Sequence, residues 1–221
     1  AITAFDAWAT SNNKIYAATT QNLALFSTVL GRNTFLQYHS TAGVYFAECL
    51  TAYLLVRPIG GAVAKFKTLA GVPESTITDV QLAALHAANG GTYIKDMGVL
   101  QSTNSKVQSG EHLDVVLGAM WIKLEMEAGL RNLALTNDKI PYSNAGVALL
   151  VGVAERVLTE AAVNGSLLFD ASGNPVYTIN SKPVQETTVA ERSSRVYNYI
   201  TWTAQLANAI QGGTISGKLE I

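Results

Sequence analysis

Three histidines, His39, His86 and His112, and one cysteine, Cys49, are the side chains with which this chain would do metal or nucleophilic chemistry. The histidines are far apart, and none has a second ligand two to four residues away, so the spacing that builds a zinc or catalytic metal site on one helix or turn is missing. They read as packing or surface histidines. Cys49 lies inside the apolar run VYFAECLTAYLL, where a small buried hydrophobe is the ordinary reading, although a thiol paired with a distant histidine would be a nucleophile. GGAVAKFKT starts like a phosphate loop but lacks the Gly-Lys-Ser/Thr ending, so its backbone has no lysine placed to reach a phosphate. Glu125 and Glu127 read as carboxylates on the solvated side of a helix. Asn164-Gly165-Ser166 matches a glycosylation sequon by pattern alone. NGSLLFDASGN places Asp170 and Asn174 in a turn, which turn chemistry explains without calcium. No cofactor, no metal and no enzymatic activity are expected.

Composition points away from several function classes. Hydrophobic residues make up 48% and charged residues 14%, against about 25% charged in ordinary soluble domains. Thr, Ser, Asn, Ala and Gly fill the gap and leave a neutral surface suited to meeting other protein. The net charge is -1 and no Lys/Arg cluster occurs, so neither a nucleic-acid groove nor an anionic-membrane surface is expected. The densest apolar run, AGVALLVGVA, is 10 residues long, short of a membrane span. A single cysteine excludes an intramolecular disulfide framework. The opening AITAFDAW lacks a Met, and the expectation is a portion of something longer.

The elements that must position these residues follow from periodicity. AITAFDAWATS, QNLALFSTVLG and AGVYFAECLTAYLL read as helices, with KIYAATT and NTFLQYHS as strands between them, the alternation of βαβ units with a parallel sheet. Two such strands cannot cover themselves, so other strands here or upstream must complete the sheet. An enzymatic or small-ligand α/β domain would use their C-terminal ends, at Thr19, Thr20, Gln21, His39 and Ser40. RPIGGAVAKFKTLAGVPES, rich in Pro and Gly, reads as a linker. The domain organisation expected is an α/β part over 1–57, a linker over 58–75 and an α+β domain over 76–221.

Within the last of these, Thr78 and Gln81 fit a capping box that opens a helix ended by Asn89-Gly90. TYIKDMGVL is a short strand region or hairpin. Leu113, Val116, Leu117, Met120, Trp121, Leu124 and Leu130 space out one apolar stripe of a long helix over 111–135. A second helix, about 143–164, has Ser143 as its cap and a stripe through Val147, Leu150, Val151, Ala154, Val157 and Leu158. SLLF-DASGN-PVYTI reads as a hairpin. VYNYITWTAQL alternates, with Ile200, Trp202, Ala204 and Leu206 on one face, and TISGKLEI at the C-terminus alternates likewise. The fold class expected is α/β: a partial βαβ region followed by an α+β unit with two long helices and a C-terminal antiparallel sheet. The terminal strand pairs either with its own sheet across a loop near 208–213 or with another molecule.

FKTLAGV (66–72), SGEHLDVVLGAMWIK (109–123), KIPYSNAGV (139–147) and ERSSRVYNYITWTAQLANAIQGGTISGKLEI (191–221) stand in an order and spacing that resemble the contractile phage tail sheath proteins. The resemblance covers about 57–221 and is weaker over the first fifty residues. Members of that family are longer at the N-terminus, and the GGTYIKDMG region is looser than the family's form. The resemblance implies a structural subunit in a virion, forming stacked hexameric rings around a tail tube, with the tube protein, baseplate and tail terminator as partners and assembly in the host cytoplasm. It implies contraction that drives the tube through the envelope for genome ejection, without membrane insertion. It further implies strand exchange between copies, for which the segments are Tyr199, Thr201, Thr203 and Gln205, and Thr214, Ile215, Ser216, Gly217, Lys218, Leu219, Glu220 and Ile221. Another virion structural protein, such as a baseplate component, is the alternative within the same class.

Overall fold

The computed structural model describes residues 1–212; the expected strand over 214–221 lies outside the described residues. Helix α1 (Ile2–Asn12) leads into β1 (Tyr16–Thr20), which pairs in parallel with β2 (Thr34–Tyr38), Tyr16 opposite Thr34 and Thr20 opposite Tyr38. The crossover between them holds only a five-residue 3-10 turn, Leu23–Ser27, where a helix was expected. Asn22 caps that turn by accepting from the Ala24 N–H at 3.0 Å, and the short connection leaves no room for further turns. β2 is buried along its whole length, and its second edge is covered from within the chain. The Tyr38 N–H donates to the Gly91 carbonyl at 2.8 Å and the Gln108 N–H donates to the Thr34 carbonyl at 3.0 Å. The parallel sheet is thus extended by irregular backbone rather than by a further regular strand.

Helix α2 (Phe46–Leu55) buries Phe46, Ala47, Leu50 and Leu54 against the sheet. Its start is held by Thr19, whose hydroxyl oxygen accepts from the Ala47 N–H at 2.9 Å and donates to Glu48 at 2.6 Å. Cys49 corrects the sequence reading, because it is exposed. The buried positions 46, 47, 50 and 54 define one face at helical spacing, and 49 falls on the flank turned away from it.

Residues 58–75 contain no regular element, yet Ala64, Leu69 and Val72 are buried in the first core beside Phe35, Phe46 and Leu113. Backbone bonds strap this segment to the hairpin of β3 (Tyr93–Asp96) and β4 (Val99–Ser102): the Phe66 N–H donates to the Ser102 carbonyl at 2.9 Å and the Ser102 N–H to the Lys67 carbonyl at 3.0 Å. Met97 and Gly98 both have positive φ at the hairpin turn, the backbone that two-residue hairpins require. Ahead of the hairpin, α3 (Asp79–Ala87) carries the complete Thr78/Gln81 capping box.

Two long helices follow, α4 (Leu113–Thr136) and α5 (Asn144–Val163), packed on each other. The Ser143 hydroxyl caps α5 by accepting from the Gly146 N–H at 3.3 Å. The α5 stripe falls as its spacing predicts, with Val147, Ala154, Val157 and Leu158 buried. The α4 stripe is shorter than expected: Leu113, Val116 and Ile122 are buried, whereas Leu124 is 61% and Leu130 is 42% exposed. The first turns of α4 pack on the first core and the middle packs on α5, so beyond Ile122 part of the stripe has nothing over it. The chain closes with β5 (Tyr177–Asn180), the short α6 (Val189–Ser193) and β6 (Thr201–Ala204), β5 and β6 forming an antiparallel ribbon against the helices. A third core joins Ile122, Val157, Leu158, Ala161 and Leu167 to Tyr177, Ile179 and Ala204.

Candidate functional site

Several of the side chains at which chemistry was conceivable make structural bonds, while Cys49 is exposed and free and the buried His86 Nε2 has no partner among the described residues. Thr19 caps α2, as described above. The Gln21 amide donates to the Ser40 carbonyl at 2.9 Å, and the Ser40 hydroxyl accepts from the Thr76 N–H at 2.8 Å. His39 is fully buried with one ring nitrogen 3.0 Å from the Pro73 carbonyl, while the other accepts from the Thr41 N–H at 3.1 Å. Both His39 nitrogens are therefore engaged. The Asp170 carboxylate accepts from the Ser172 and Asn174 N–H groups, each at 2.8 Å, and these bonds hold its pKa below the usual value. That is a polar turn. No group of three or more His, Cys, Asp or Glu residues suited to a metal ion occurs among the described residues, and no helix there is long and apolar enough to cross a membrane.

The feature that remains is the β5–β6 ribbon. Its register places Tyr177 opposite Ala204, Thr178 opposite Thr203, Ile179 opposite Trp202 and Asn180 opposite Thr201. Beyond β6 the Gln205 N–H donates to the Val176 carbonyl at 3.1 Å and the Gln205 carbonyl accepts from the Leu168 N–H at 2.9 Å. The N–H and C=O of one residue point to one edge and alternate along a strand. Thr201, Thr203 and Gln205 therefore spend their backbone groups toward β5 and the 166–168 segment, while Trp202, Ala204 and Leu206 present theirs on the other edge. No described strand pairs with that edge. Of the residues expected to link copies, Thr201, Thr203 and Gln205 thus face inward through their backbone, and the even-numbered residues carry the open edge.

The open edge borders a groove of about 350 Å³ lined by apolar groups, among them Ile122, Met126, Leu130, Leu167, Trp202 and Leu206. Its floor is α4, where Gly118 and Gly60 let two stretches of backbone approach closely. A buried polar group lies in its wall: Asp114, 7% exposed, has one carboxylate oxygen without a partner, and burial pushes its pKa up. Aromatic contacts hold the approach to β6. Tyr142, Tyr197 and Tyr199 stack edge to face with centroids 5.8 and 5.5 Å apart. The Tyr199 hydroxyl donates to Glu191, which holds the carboxylate below and the phenol above their usual pKa values. Tyr199 is thus a brace within the chain.

Residues 113–219 match the family described as E217 tail sheath protein gp31-like, C-terminal domain. Over that span the chain resembles the tail sheath proteins. The matched span begins at α4 and takes in α5, the β5–β6 ribbon and the groove between ribbon and helix. Among solved structures, the chain is similar to one in the baseplate of the anti-feeding prophage, at a TM-score of 0.77 and 12% identity, covering 100% of this chain and 65% of that one. It is also similar to one in the sheath complex of an extracellular contractile injection system, PVC, in the contracted state, at a TM-score of 0.67 and 8% identity, covering 92% of this chain and 62% of that one. At these identities the likeness is one of fold. The chain spans somewhat under two thirds of the length of these two solved chains. No curated protein sequence matches it. The matched family and both structures belong to tail sheath or baseplate assemblies.

Proposed function

We propose that this protein is a subunit of a contractile phage tail sheath, in which copies form hexameric rings stacked around a tail tube and joined to a baseplate and a tail terminator. The rings are assembled in the host cytoplasm, and their contraction drives the tube through the envelope for genome ejection. The observation that carries the linking role is the open edge of β6 above an apolar groove. An unpaired strand edge is a template for another strand, and the β6 edge, with which no described strand pairs, lies beside an apolar floor that suits one. The segment Thr214–Ile221 of a neighbouring copy has the matching character: Ile215, Leu219 and Ile221 alternate with Ser216, Lys218 and Glu220, so one face suits the groove and the other suits the polar outer face of Thr201, Thr203 and Gln205. Backbone bonds then hold copies together while the subunits rotate against each other. Two packings of one lattice, separated by a modest free energy per subunit, supply the work of contraction. The likeness to a chain of the prophage baseplate favours a second reading within the same class, a ring protein of the baseplate.

The test is electron microscopy of the full-length protein, alone and with residues 214–221 deleted. Tubes or rings are expected for the intact protein, and the deletion is expected to abolish them while far-UV circular dichroism and melting of the helical unit stay close to wild type. A full-length protein that stays a monodisperse monomer in every condition counts against the sheath reading. Unchanged assembly after the deletion removes the connector role.

A further inference from the structure

Beyond Gln205 the chain is held, among the described residues, at two places. The Ala207 N–H donates to the Ser166 carbonyl at 3.1 Å. Asn208, Ala209 and Ile210 are exposed, Ile210 to 93%, and make no backbone hydrogen bond among the described residues. Gln211 then turns inward. Its amide nitrogen donates to the Ser105 hydroxyl at 2.9 Å, its amide oxygen lies 3.1 Å from the same hydroxyl, and its backbone carbonyl accepts from Lys65 at 3.4 Å. Ser105 is fully buried and lies 2.9 Å from a ring nitrogen of His112, itself 3.4 Å from the Gln211 amide. The receptor for Gln211 is preformed: the Leu113 N–H donates to the Ser105 carbonyl at 2.8 Å, which closes the 105–113 loop and sets Ser105 beside His112. Gly212, exposed, and Gly213 follow at once.

We propose that Gln211 is a positioning residue that pins the root of the connecting segment, so that Thr214–Ile221 leaves every copy from the same point. This rests on the connector reading given above. The physical effect is on tether length. From Ala207 to Thr214 an extended chain spans up to about 24 Å, whereas from Gln211 to Thr214 it spans about 10 Å. A strand on the shorter leash searches a smaller volume, and for a flexible tether the effective concentration falls roughly as the −3/2 power of length, so releasing Gln211 dilutes the segment on the order of four-fold at its docking edge.

The experiment compares the full chain with Gln211→Met, which keeps volume and loses the amide, with Ser105→Ala, and with a four-residue Gly/Ser insertion between Gly212 and Gly213. Broad-specificity protease cleavage within 208–210 and the protein concentration needed for assembly are read in parallel. Gln211→Met is expected to raise cleavage there several-fold and the assembly concentration about four-fold with an unchanged melting temperature. Ser105→Ala should act in the same direction, with little further effect in the double variant. The insertion should shift assembly alone, which a merely structural role for Gln211 would not predict. Unchanged cleavage in Gln211→Met overturns the pin, and an insertion without effect on assembly overturns its role in setting reach. If deleting 214–221 leaves assembly intact, the connector itself fails, and the cleavage result then reports on the anchor separately.

Discussion

The phenol oxygen of Tyr93 lies 2.9 Å from the Leu69 N–H and 3.3 Å from the Leu69 carbonyl, in the middle of the first core. One side chain of the β3–β4 hairpin thus satisfies both backbone groups of a residue in the aperiodic 58–75 segment. Because Tyr93 is fully buried and Leu69 nearly so, no water replaces the bond when it is lost.

Tyr93→Phe is accordingly expected to cost about 1–3 kcal/mol, the penalty of leaving a buried backbone donor without a partner. Denaturant unfolding measures it; a shift in midpoint without a change in slope is the expected form. A loss below about 0.5 kcal/mol, the range of neutral surface substitutions, would mean that Leu69 is held by packing alone.

Gly91 is required by close approach. A Cβ there would stand 2.5 Å from the Gln37 side-chain oxygen and 2.9 Å from the Asn104 Cβ, at the point where Gly91 extends the sheet along β2. Gly91→Ala should destabilise by about 1–3 kcal/mol, as overpacking of a filled core does, and thermal melting would show it. Gly98→Ala, with nothing within 4 Å, is the comparison in which strain comes from the backbone alone.

Asp114 makes a pH-dependent prediction. Burial raises its pKa in the folded chain above that of the unfolded one, with its own helix N–H groups and His112 acting in the opposite direction. Its contribution to stability is therefore full below the ordinary carboxylate pKa and is lost as pH rises through the raised folded value. Asp114→Asn should raise the melting temperature near neutral pH, and the gain should vanish in acid. A gain that is the same at both pH values would contradict the burial argument.

The two edges of β6 can be separated by proline. At Ala204 the missing N–H belongs to the open edge, so Ala204→Pro should leave the β5–β6 ladder formed and suppress assembly, while Thr203→Pro should break the ribbon itself. Circular dichroism together with electron microscopy distinguishes the two. Normal assembly of Ala204→Pro would place the linking contact elsewhere.

What the sequence determined by itself was local. The Thr78/Gln81 capping box, the Ser143 cap, the two long helices and the parallel pairing of β1 with β2 were legible because caps and periodicity act over a few residues. The order of four motifs carried the sheath resemblance. Tertiary structure alone decided the rest. A 3-10 turn replaced the expected helix over 21–31, and Cys49 came out exposed. Leu124 and Leu130 were left uncovered, and the aperiodic 58–75 segment supplied Ala64, Leu69 and Val72 to the core. It also decided that Trp202, Ala204 and Leu206, rather than their odd-numbered neighbours, present the open edge, and that Gln211 reaches Ser105 across 106 residues. Each of these depends on which surface lies opposite. That is set by backbone pairing and burial between segments far apart in the chain, about which periodicity within one segment carries no information.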